Sequence, residues 1–210
     1  MRRRLPALLL ALSLVGLAPV TAADPAGRFD YYLLSLSWSP QYCAGAAGDG
    51  DPQCRRPYGF VVHGLWPQHE RGWPEQCGPA EWLPESLIER MLPLMPSRKL
   101  ILHEWRKHGV CSGLGAQGYF AAVERAYRSI RIPARYQAPR EPLRLSPATL
   151  EADFGAANPA LRPEMMALDC RGNYLSELRI CLDRQLRPRR CGADLRDRCS
   201  GLAVLRPSRP

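Results

Sequence analysis

Residues 29–38 read FDYYLLSLSW, and this run of aromatic and apolar side chains predicts a buried β-strand. Residues 58–63 (YGFVVH) predict a second strand of the same kind. Near the other end, residues 165–170 and 175–183 flank the sequence RGNY at 171–174, which is typical of a β-hairpin. Apolar strands are therefore expected on both sides of the central part of the chain.

Helical patterns fill that central part. Apolar residues at helical spacing or a suitable capping residue mark each predicted helix. The predicted helices cover residues 84–94, 97–110 and 117–132, and a further short one begins at Ser146-Pro147. Ser97 is expected to cap the second helix, and residues 64–84 are expected to be irregular. Helices concentrated between strands favour an α+β fold.

The first residues have the composition of a secretory signal peptide. Arg2, Arg3 and Arg4 precede an apolar run from 5 to 20, which ends in the small residues Thr-Ala-Ala. We expect residues 1–23 to be removed on export and residues 24–210 to form a single domain. An uncleaved anchor is the alternative, although the run is short for a membrane span. The expected location is periplasmic or extracellular.

The remaining composition is that of a globular protein with a basic surface. The chain has 210 residues, of which 46% are hydrophobic and 23% are charged, so extended disorder is excluded. The formal net charge of +9 suits a polyanionic partner, although a solvated basic surface would give the same value. Removal of the signal segment would take away three of these positive charges.

All eight cysteines lie beyond the signal segment, and an even number in an exported chain argues for disulfide bonds. They are Cys43, Cys54, Cys77, Cys111, Cys170, Cys181, Cys191 and Cys199. Their spacing alone does not determine which cysteines pair. Structural zinc is the competing use, but the sequence contains no Cys-x-x-Cys pair.

The second predicted helix carries a cluster of ionisable side chains. At about 100° per residue, Lys107, Glu104 and His108 lie near 40°, 100° and 140° from His103, so that all four share one arc. Two imidazoles, a carboxylate and an ammonium group on one face could titrate near neutrality and bind an anion. The alternative is an amphipathic helix with a solvated charged face.

A zinc site on this helix is disfavoured. The zinc motif His-Glu-x-x-His places its histidines one helical turn apart, whereas His103 and His108 are five residues apart. Lys107 occupies the position one turn after His103 and would repel a cation. We therefore predict no metal ion and no other cofactor.

His63 ends the second predicted strand, just before Gly64. A lone histidine there is more often structural, but two imidazoles on opposite sides of a bound group can act as acid and base. An RNA phosphodiester is a suitable substrate for such an acid–base pair, because its 2′-hydroxyl is an internal nucleophile and no protein nucleophile or metal is needed. The expected partner is therefore RNA.

Two segments together resemble the active-site segments of the T2 family of ribonucleases. They are the sequence HGLWP at 63–67 and HEWxKHGxC at 103–111, and they occur in the family order. The sequence SWSP at 37–40 with the following Tyr42-Cys43, and the spacing of the last four cysteines, are also similar. The resemblance implies a central antiparallel sheet. It also implies a metal-independent endoribonuclease that forms 2′,3′-cyclic phosphates and then 3′-phosphate ends.

The resemblance also implies a role for each matching residue. His63 would donate a proton and His108 would accept one in the cleavage step. Glu104 and Lys107 would stabilise the pentacovalent phosphate, and His103 would bind phosphate. These roles rest on the matching positions alone, because helix geometry by itself shows only which side chains share a face.

Trp66 would stack on a base by the same resemblance, with ordinary core packing as the alternative. Three places depart from the family pattern: Ser37, the apolar residues 100–102, and Gln68. They leave the cleavage residues intact but put the base preference in doubt.

The family pattern further implies three disulfides, Cys77 to Cys111, Cys170 to Cys199 and Cys181 to Cys191, which leaves Cys43 with Cys54. Two rival functions remain open. One is a binding or inhibitory protein that uses the same scaffold without catalysis, and the other is a zinc hydrolase. A monomer without stable membrane association after signal removal is the expected state.

Overall fold

A computed structural model describes residues 24–45, 48 and 50–208 of the chain. The predicted signal segment lies outside these residues. The strands are β1 (Tyr31–Trp38), β2 (Phe60–Gln68), β3 (Leu143–Leu145), β4 (Met166–Arg171), β5 (Tyr174–Leu182) and β6 (Ala203–Leu205). The α-helices are α1 (Ser39–Cys43), α2 (Glu85–Met91), α3 (Arg98–Lys107), α4 (Gly115–Arg128) and α5 (Pro147–Ala157). Short 3₁₀ helices cover Pro52–Arg55, Gly109–Ser112, Ala134–Tyr136 and Pro163–Met165.

The strands form one sheet in the order β2-β1-β5-β6-β3, and β4 pairs with β5. The pairings are antiparallel except for one parallel contact between Tyr174 of β5 and Val204 of β6. The predicted α+β class and the central antiparallel sheet are confirmed. The predicted hairpin corresponds to β4 and β5, which are joined by a tight turn at Gly172.

The main core lies on one face of the sheet. Alternate residues of β1, including Leu34, Leu36 and Trp38, are fully buried there. Helix α4 contributes Tyr119 and Phe120 to the same core. Because this face of the sheet is covered by helices, its strands are held rigidly and can position side chains on the other face.

The opposite face carries a second, smaller apolar cluster. Tyr31, Leu33 and Cys181 are buried there, and Trp66 and Leu195 pack against them. Leu195 comes from the C-terminal part of the chain, so a segment that follows the sheet in sequence folds back over this face. The catalytic candidates lie beside this smaller cluster.

Two local predictions were wrong. β2 continues to Gln68, whereas residues 64–84 were expected to be irregular. Ser97 precedes α3, but its side chain does not cap the helix and instead donates a hydrogen bond to Asp51, at 3.0 Å. The predicted cap at Ser146 is confirmed, since its hydroxyl accepts a hydrogen bond from the Thr149 amide.

The cysteines form the three disulfides that the resemblance implied and the fourth that was left by elimination. The pairs are Cys43–Cys54, Cys77–Cys111, Cys170–Cys199 and Cys181–Cys191. The second pair joins the loop after β2 to the 3₁₀ helix after α3. The last two pairs fasten residues 191–199, which we call the C-terminal arm, to strands β4 and β5.

Candidate active site

His63 lies at an irregularity of β2. Ser35 of β1 pairs with Gly64 and Leu36 pairs with Val62, so His63 is an extra residue without a partner across this ladder. A β-bulge of this kind changes the direction of a side chain and is frequent beside active sites. Val62 and Leu65 both reach the main core although they are three residues apart. The bulge therefore takes up one residue and leaves His63 outside that core.

Two carboxylates face the His63 ring. Its Nδ1 donates a hydrogen bond to Oε1 of Glu177 on β5, at 2.6 Å, and its Nε2 lies 3.5 Å from Oε1 of Glu104 on α3. Burial lowers the pKa of His63, but the hydrogen bond and charge of Glu177 and the charge of Glu104 outweigh it. The pKa therefore lies above the ordinary value of 6.5. His63 thus holds its proton more strongly than an ordinary imidazole.

Glu177 is itself held in place by Arg179. The Arg179 Nε donates to Oε2 of Glu177 at 2.8 Å, and its guanidinium also reaches Oδ2 of Asp169 at 2.9 Å. Burial would raise the pKa of Glu177, but the hydrogen bond from His63 and the two cationic neighbours lower it to about 2. Glu177 therefore remains ionised and fixes the orientation of His63.

Glu104 is a buried carboxyl, with 1% of its side chain exposed. Its Oε2 accepts a hydrogen bond from the indole nitrogen of Trp66 at 2.6 Å. Burial raises the pKa of Glu104 to about 7, against the opposing effects of His63, Trp66 and Lys107. A fraction of the Glu104 carboxyls is therefore neutral at pH 7 and able to donate a hydrogen bond.

Gly64 allows the Glu104 carboxyl and the Trp66 indole nitrogen to lie close to the backbone of β2. A Cβ atom at position 64 would lie 2.1 Å from Oε2 of Glu104 and 2.3 Å from Nε1 of Trp66. Real Cβ atoms do not approach other atoms so closely, so any side chain here would push Glu104 and Trp66 apart. The glycine that follows His63 in the sequence is therefore a packing requirement of the site.

His108 does not lie on the helix as expected. Helix α3 ends at Lys107, and His108 is its C-terminal cap with φ −121° and ψ −42°. The predicted position of its side chain, 140° around the helix from His103, is therefore wrong. Leaving the helix brings the His108 ring over Trp66, with 5.1 Å between ring centroids.

The two imidazoles beside Trp66 differ in proton affinity. The His63 ring lies edge-on to Trp66, also at 5.1 Å between centroids. Burial lowers the pKa of His108 to about 3, and the positive charges of Lys107, His63 and His103 add to this effect. His108 is therefore neutral, whereas His63 holds its proton more strongly than usual, and both rings contact the same indole.

His103 and Lys107 lie one helical turn apart on α3, and both side chains are accessible from solvent. Burial lowers the pKa of His103, and the charges of Lys107, His63 and Lys99 act in the same direction. A neutral imidazole retains one N–H donor, and the Lys107 ammonium has three. These donors can bind an anion in front of the helix.

These residues surround a cleft of about 610 Å³, which we call the histidine cleft. Its floor is the sheet face that carries Leu33, Trp66 and Arg179. One wall is formed by α3 and its C-terminal end, and the other by residues of the C-terminal arm. The structure therefore brings together all six of the residues predicted for the site: His63, Trp66, His103, Glu104, Lys107 and His108.

A second cleft, of about 510 Å³, opens on the other side of His63. Three serines line it, Ser37, Ser97 and Ser176, and we call it the serine cleft. Leu100 and Gln41 also border it. His63 borders both the serine cleft and the histidine cleft, so it stands at the junction of two spaces. Glu177 borders the serine cleft and is hydrogen-bonded to His63.

Glu177 and Arg179 were not predicted from the sequence to belong to the site. Both lie on β5, two residues apart, and so belong to the same face of the strand. Their alternation with apolar residues could have shown that they share a face, but not that this face points at His63. The contact joins residues 114 positions apart.

Among residues 24–45, 48 and 50–208, no three or more His, Cys, Asp or Glu side chains are grouped as metal ligands. Within the same part of the chain, no helix has the length and apolarity required to cross a membrane.

Comparisons with known proteins agree on one family. The model of the ribonuclease T2 family matches residues 29–191. A ribonuclease of Aeromonas hydrophila is 37% identical over 168 residues, which are 79% of this chain and 77% of that protein.

Solved structures share the fold. The RNase-related protein from Calystegia sepium has a TM-score of 0.69 at 20% identity, covering 86% of this chain and 98% of its own. RNase NT in complex with 5′-AMP has a TM-score of 0.64 at 23% identity, covering 86% of this chain and 99% of its own. With a family match over most of its length and a relative of this similarity, the chain belongs to the ribonuclease T2 family.

Proposed function

We propose that this protein is an endoribonuclease that cleaves single-stranded RNA without a metal ion. The observation that carries the proposal is the pair of imidazoles beside Trp66, one with a raised pKa and the other with a lowered pKa. A reaction that needs an acid and a base at the same moment uses such a pair. Membership of the T2 ribonuclease family supports the same activity.

In the first step, the neutral imidazole of His108 accepts the proton of the 2′-hydroxyl as its oxygen attacks phosphorus. Protonated His63 donates its proton to the leaving 5′-oxygen, and the bond from phosphorus to that oxygen breaks. The products are a 2′,3′-cyclic phosphate and a free 5′-hydroxyl. In the second step the oxygen of a water molecule attacks phosphorus while His63 accepts a proton from it. The bond from phosphorus to the 2′-oxygen breaks, His108 returns its proton to that oxygen, and a 3′-phosphate remains.

The remaining side chains stabilise the reacting phosphate. Lys107 supplies a positive charge to the pentacovalent phosphate, and His103 donates a hydrogen bond to it. Glu104 in its neutral form can donate to a phosphoryl oxygen, because its pKa of about 7 leaves it partly protonated. Trp66 offers the part of its ring that is not covered by the two imidazoles to a base. Ionised Glu177 positions His63 for proton transfer.

The decisive experiment is cleavage of the dinucleotide CpA in excess EDTA, followed by detection of the cyclic phosphate. We expect undiminished cleavage of CpA, and no cleavage of the analogue with a 2′-deoxy cytidine. Loss of activity that zinc restores would favour a zinc hydrolase, and binding of RNA without any cleavage would favour a non-catalytic protein. Either outcome would overturn the proposal.

We further propose that the protein is exported, with residues 1–23 as signal peptide and residues 24–210 as one catalytic domain. The four disulfides support export, because such bonds persist in oxidising compartments. Amino-terminal sequencing of protein recovered from the periplasm and from the medium would test the cleavage site and the compartment together. A mature chain that still begins at Met1 would contradict the signal peptide.

A further inference from the structure

The C-terminal arm, residues 191–199, is held rigidly although it contains no regular secondary structure. A disulfide fixes each end, through Cys191 and Cys199. Between them the arm is bonded to the loop after β2 and to strand β4. The Asp194 carboxylate accepts from the Gly72 amide at 2.6 Å, the Asp197 carboxylate accepts from the Leu168 amide at 2.8 Å, and the Ala193 amide donates to the Glu70 carbonyl at 3.2 Å.

This rigid arm presents two arginines to the histidine cleft. Arg196 and Arg198 both line the cleft, and both are exposed. Arg196 forms no hydrogen bond or ion pair with any residue in the described part of the chain. The Nε of Arg198 lies 4.0 Å from Oδ1 of Asp169, whose other oxygen is already bonded by Arg179 at 2.9 Å.

The charge around the cleft is unbalanced. Its permanently cationic side chains are Lys107, Arg179, Arg196 and Arg198, and its carboxylates are Glu104 and Asp194. The Asp194 carboxylate accepts a backbone hydrogen bond, and Glu104 is buried with a raised pKa. Arg179 is paired with Glu177 and Asp169, but Arg198 is only 4.0 Å from the same Asp169, and Arg196 has no ion-pair partner in the described part of the chain. Positive charge therefore remains on the arm, and an anion bound there would offset it. The distribution therefore points to a ligand with more than one negative group.

We propose that Arg196 and Arg198 form a second phosphate-binding subsite, which holds the backbone of an RNA chain beyond the phosphate that reacts. The proposal rests on the proposed function, because it assumes that RNA lies in the histidine cleft. It adds that the substrate is a longer RNA strand rather than a dinucleotide. Helix α3 binds the reacting phosphate from one wall, and the arm binds a neighbouring phosphate from the other.

The consequence is a difference between short and long substrates. CpA has a single phosphate, which occupies the reacting position and cannot reach the second subsite. A ten-nucleotide RNA has further phosphates for the arm. Arginine is well suited to this role, because its planar guanidinium can donate two hydrogen bonds to one phosphate.

The experiment compares the double variant Arg196→Ala/Arg198→Ala with the matched control Arg140→Ala/Arg144→Ala. The control arginines lie away from the cleft, and Arg144 is on β3 at the opposite end of the sheet from β2. Both variants lose two positive charges. For each protein, kcat/KM is measured with CpA and with a ten-nucleotide RNA, and thermal unfolding verifies that the fold is retained.

We expect the arm variant to cleave CpA as the parent protein does and the ten-nucleotide RNA about four- to twenty-five-fold less efficiently. Each exposed ion pair typically contributes about a two- to fivefold factor. The control variant should leave the ratio between the two substrates unchanged. Equal losses on both substrates in the arm variant, or the same loss in both variants, would overturn the subsite.

Binding of an uncleavable 2′-O-methyl ten-nucleotide strand provides a second readout. The slope of log Kd against log salt should fall by about 0.7 in the arm variant, which is the value expected when one phosphate of a single strand is no longer neutralised. An unchanged slope would also overturn the subsite. A parent protein that cleaves neither CpA nor the longer RNA would instead overturn the proposed function, which separates the two failures.

Discussion

The histidine cleft and the serine cleft meet at His63, but different kinds of side chain line them. The histidine cleft collects three of the four histidines of the chain and Lys107. The serine cleft shares His63 and is otherwise bordered mainly by hydroxyl, amide and apolar side chains, together with two arginines. One of those arginines, Arg206, already has partners. Its Nε donates a hydrogen bond to Oε1 of Gln41 at 2.7 Å, and its Cζ lies 3.9 Å from the centroid of the Tyr174 ring.

This difference indicates that one cleft carries out the cleavage reaction and the other recognises a base. Groups that move protons and bind phosphate lie in the histidine cleft, whereas the serine cleft offers neutral donors and acceptors of the size and polarity that suit a base. A phosphodiester held at His63 has one nucleoside on each side, so each cleft can hold one. Loss of the side chains that transfer protons or bind the reacting phosphate should therefore reduce the rate for every substrate, and damage to the serine cleft should change which substrate is preferred.

The largest expected effect comes from removing either proton-transfer group. His63→Ala and His108→Ala should each lower kcat for CpA by about 10²–10⁴-fold, which is the usual contribution of a positioned acid or base. KM should change much less. His103→Ala should raise KM as well as lower kcat, because His103 binds the phosphate. Steady-state kinetics on CpA measures all three, and a fully active His63→Ala protein would contradict its role.

The disulfides near the two clefts should differ in their contribution to stability. Cys77–Cys111, beside the histidine cleft, spans 34 residues, and Cys43–Cys54, beside the serine cleft, spans 11. Loop-closure entropy then predicts losses of about 4 and about 3 kcal/mol in the free energy of unfolding when each pair is replaced by alanine. Denaturant titration measures both values.

Activity should separate these two disulfide variants further. Cys111 lies in the 3₁₀ helix that begins directly after His108, so loss of its bond should lower kcat under conditions in which the protein is still folded. Loss of Cys43–Cys54 should leave kcat nearly unchanged under the same conditions. Equal kcat values in the two variants would show that the Cys77–Cys111 bond does not position His108.

Glu177 connects the two clefts, and its removal should alter the pH dependence of the rate. Cleavage needs His108 neutral and His63 protonated, so kcat/KM should rise through the lowered pKa of His108 and fall through the raised pKa of His63. Glu177→Gln removes the charge that raises the pKa of His63. The fall of kcat/KM on the alkaline side should therefore begin at a lower pH. At a fixed pH within that fall, kcat/KM should be about tenfold lower for each pH unit by which the fall moves.

Two observations would test that assignment. Asp169→Asn is the matched control, because Asp169 contacts Arg179 but not His63, and its alkaline limb should move much less than that of Glu177→Gln. His63 is faced by Glu104, Glu177 and Arg179, so the limb belongs to a coupled group of side chains. An unchanged alkaline limb in Glu177→Gln would show that Glu177 does not govern the protonation of His63.

The smallest effect is expected at Leu100 in the serine cleft. Leu100→Ala removes apolar contact area from the wall of that cleft and should lower kcat/KM for dinucleotides by about tenfold or less. Hydrolysis of a 2′,3′-cyclic phosphate involves no second nucleoside and should be unaffected. Comparing the two substrates measures the effect, and equal losses would place the role of Leu100 in the catalytic step instead.

Local sequence patterns predicted the parts of the fold that depend on local contacts. The buried strand β1, the hairpin of β4 and β5 and the helix α3 follow from apolar runs, turn residues and helical spacing. The end of β2 was missed because Gly64 and Pro67 are unfavourable within most strands. Here the strand lies at the edge of the sheet and contains a bulge, and both features accept such residues.

The candidate site was predicted where its residues form continuous motifs. His63, Glu104 and His108 were identified because their neighbours resemble family segments, whereas helical geometry alone misplaced His108. Glu177 and Arg179 contact the site only through the pairing of β1 with β5. No local pattern contains that information, since it arises when distant strands are brought into register.

The bulge at His63 makes the length of β2 as important as its composition. Side chains of a strand alternate between two faces, so the insertion or deletion of one residue exchanges the faces of all residues that follow. Deleting the extra residue would restore a regular ladder, but it would also remove the imidazole that borders both clefts. A further residue inserted between His63 and Trp66 would turn Trp66 towards the helices. This segment should therefore accept substitutions far more readily than changes in length, which a scan of single-residue insertions and deletions from 60 to 68 would reveal.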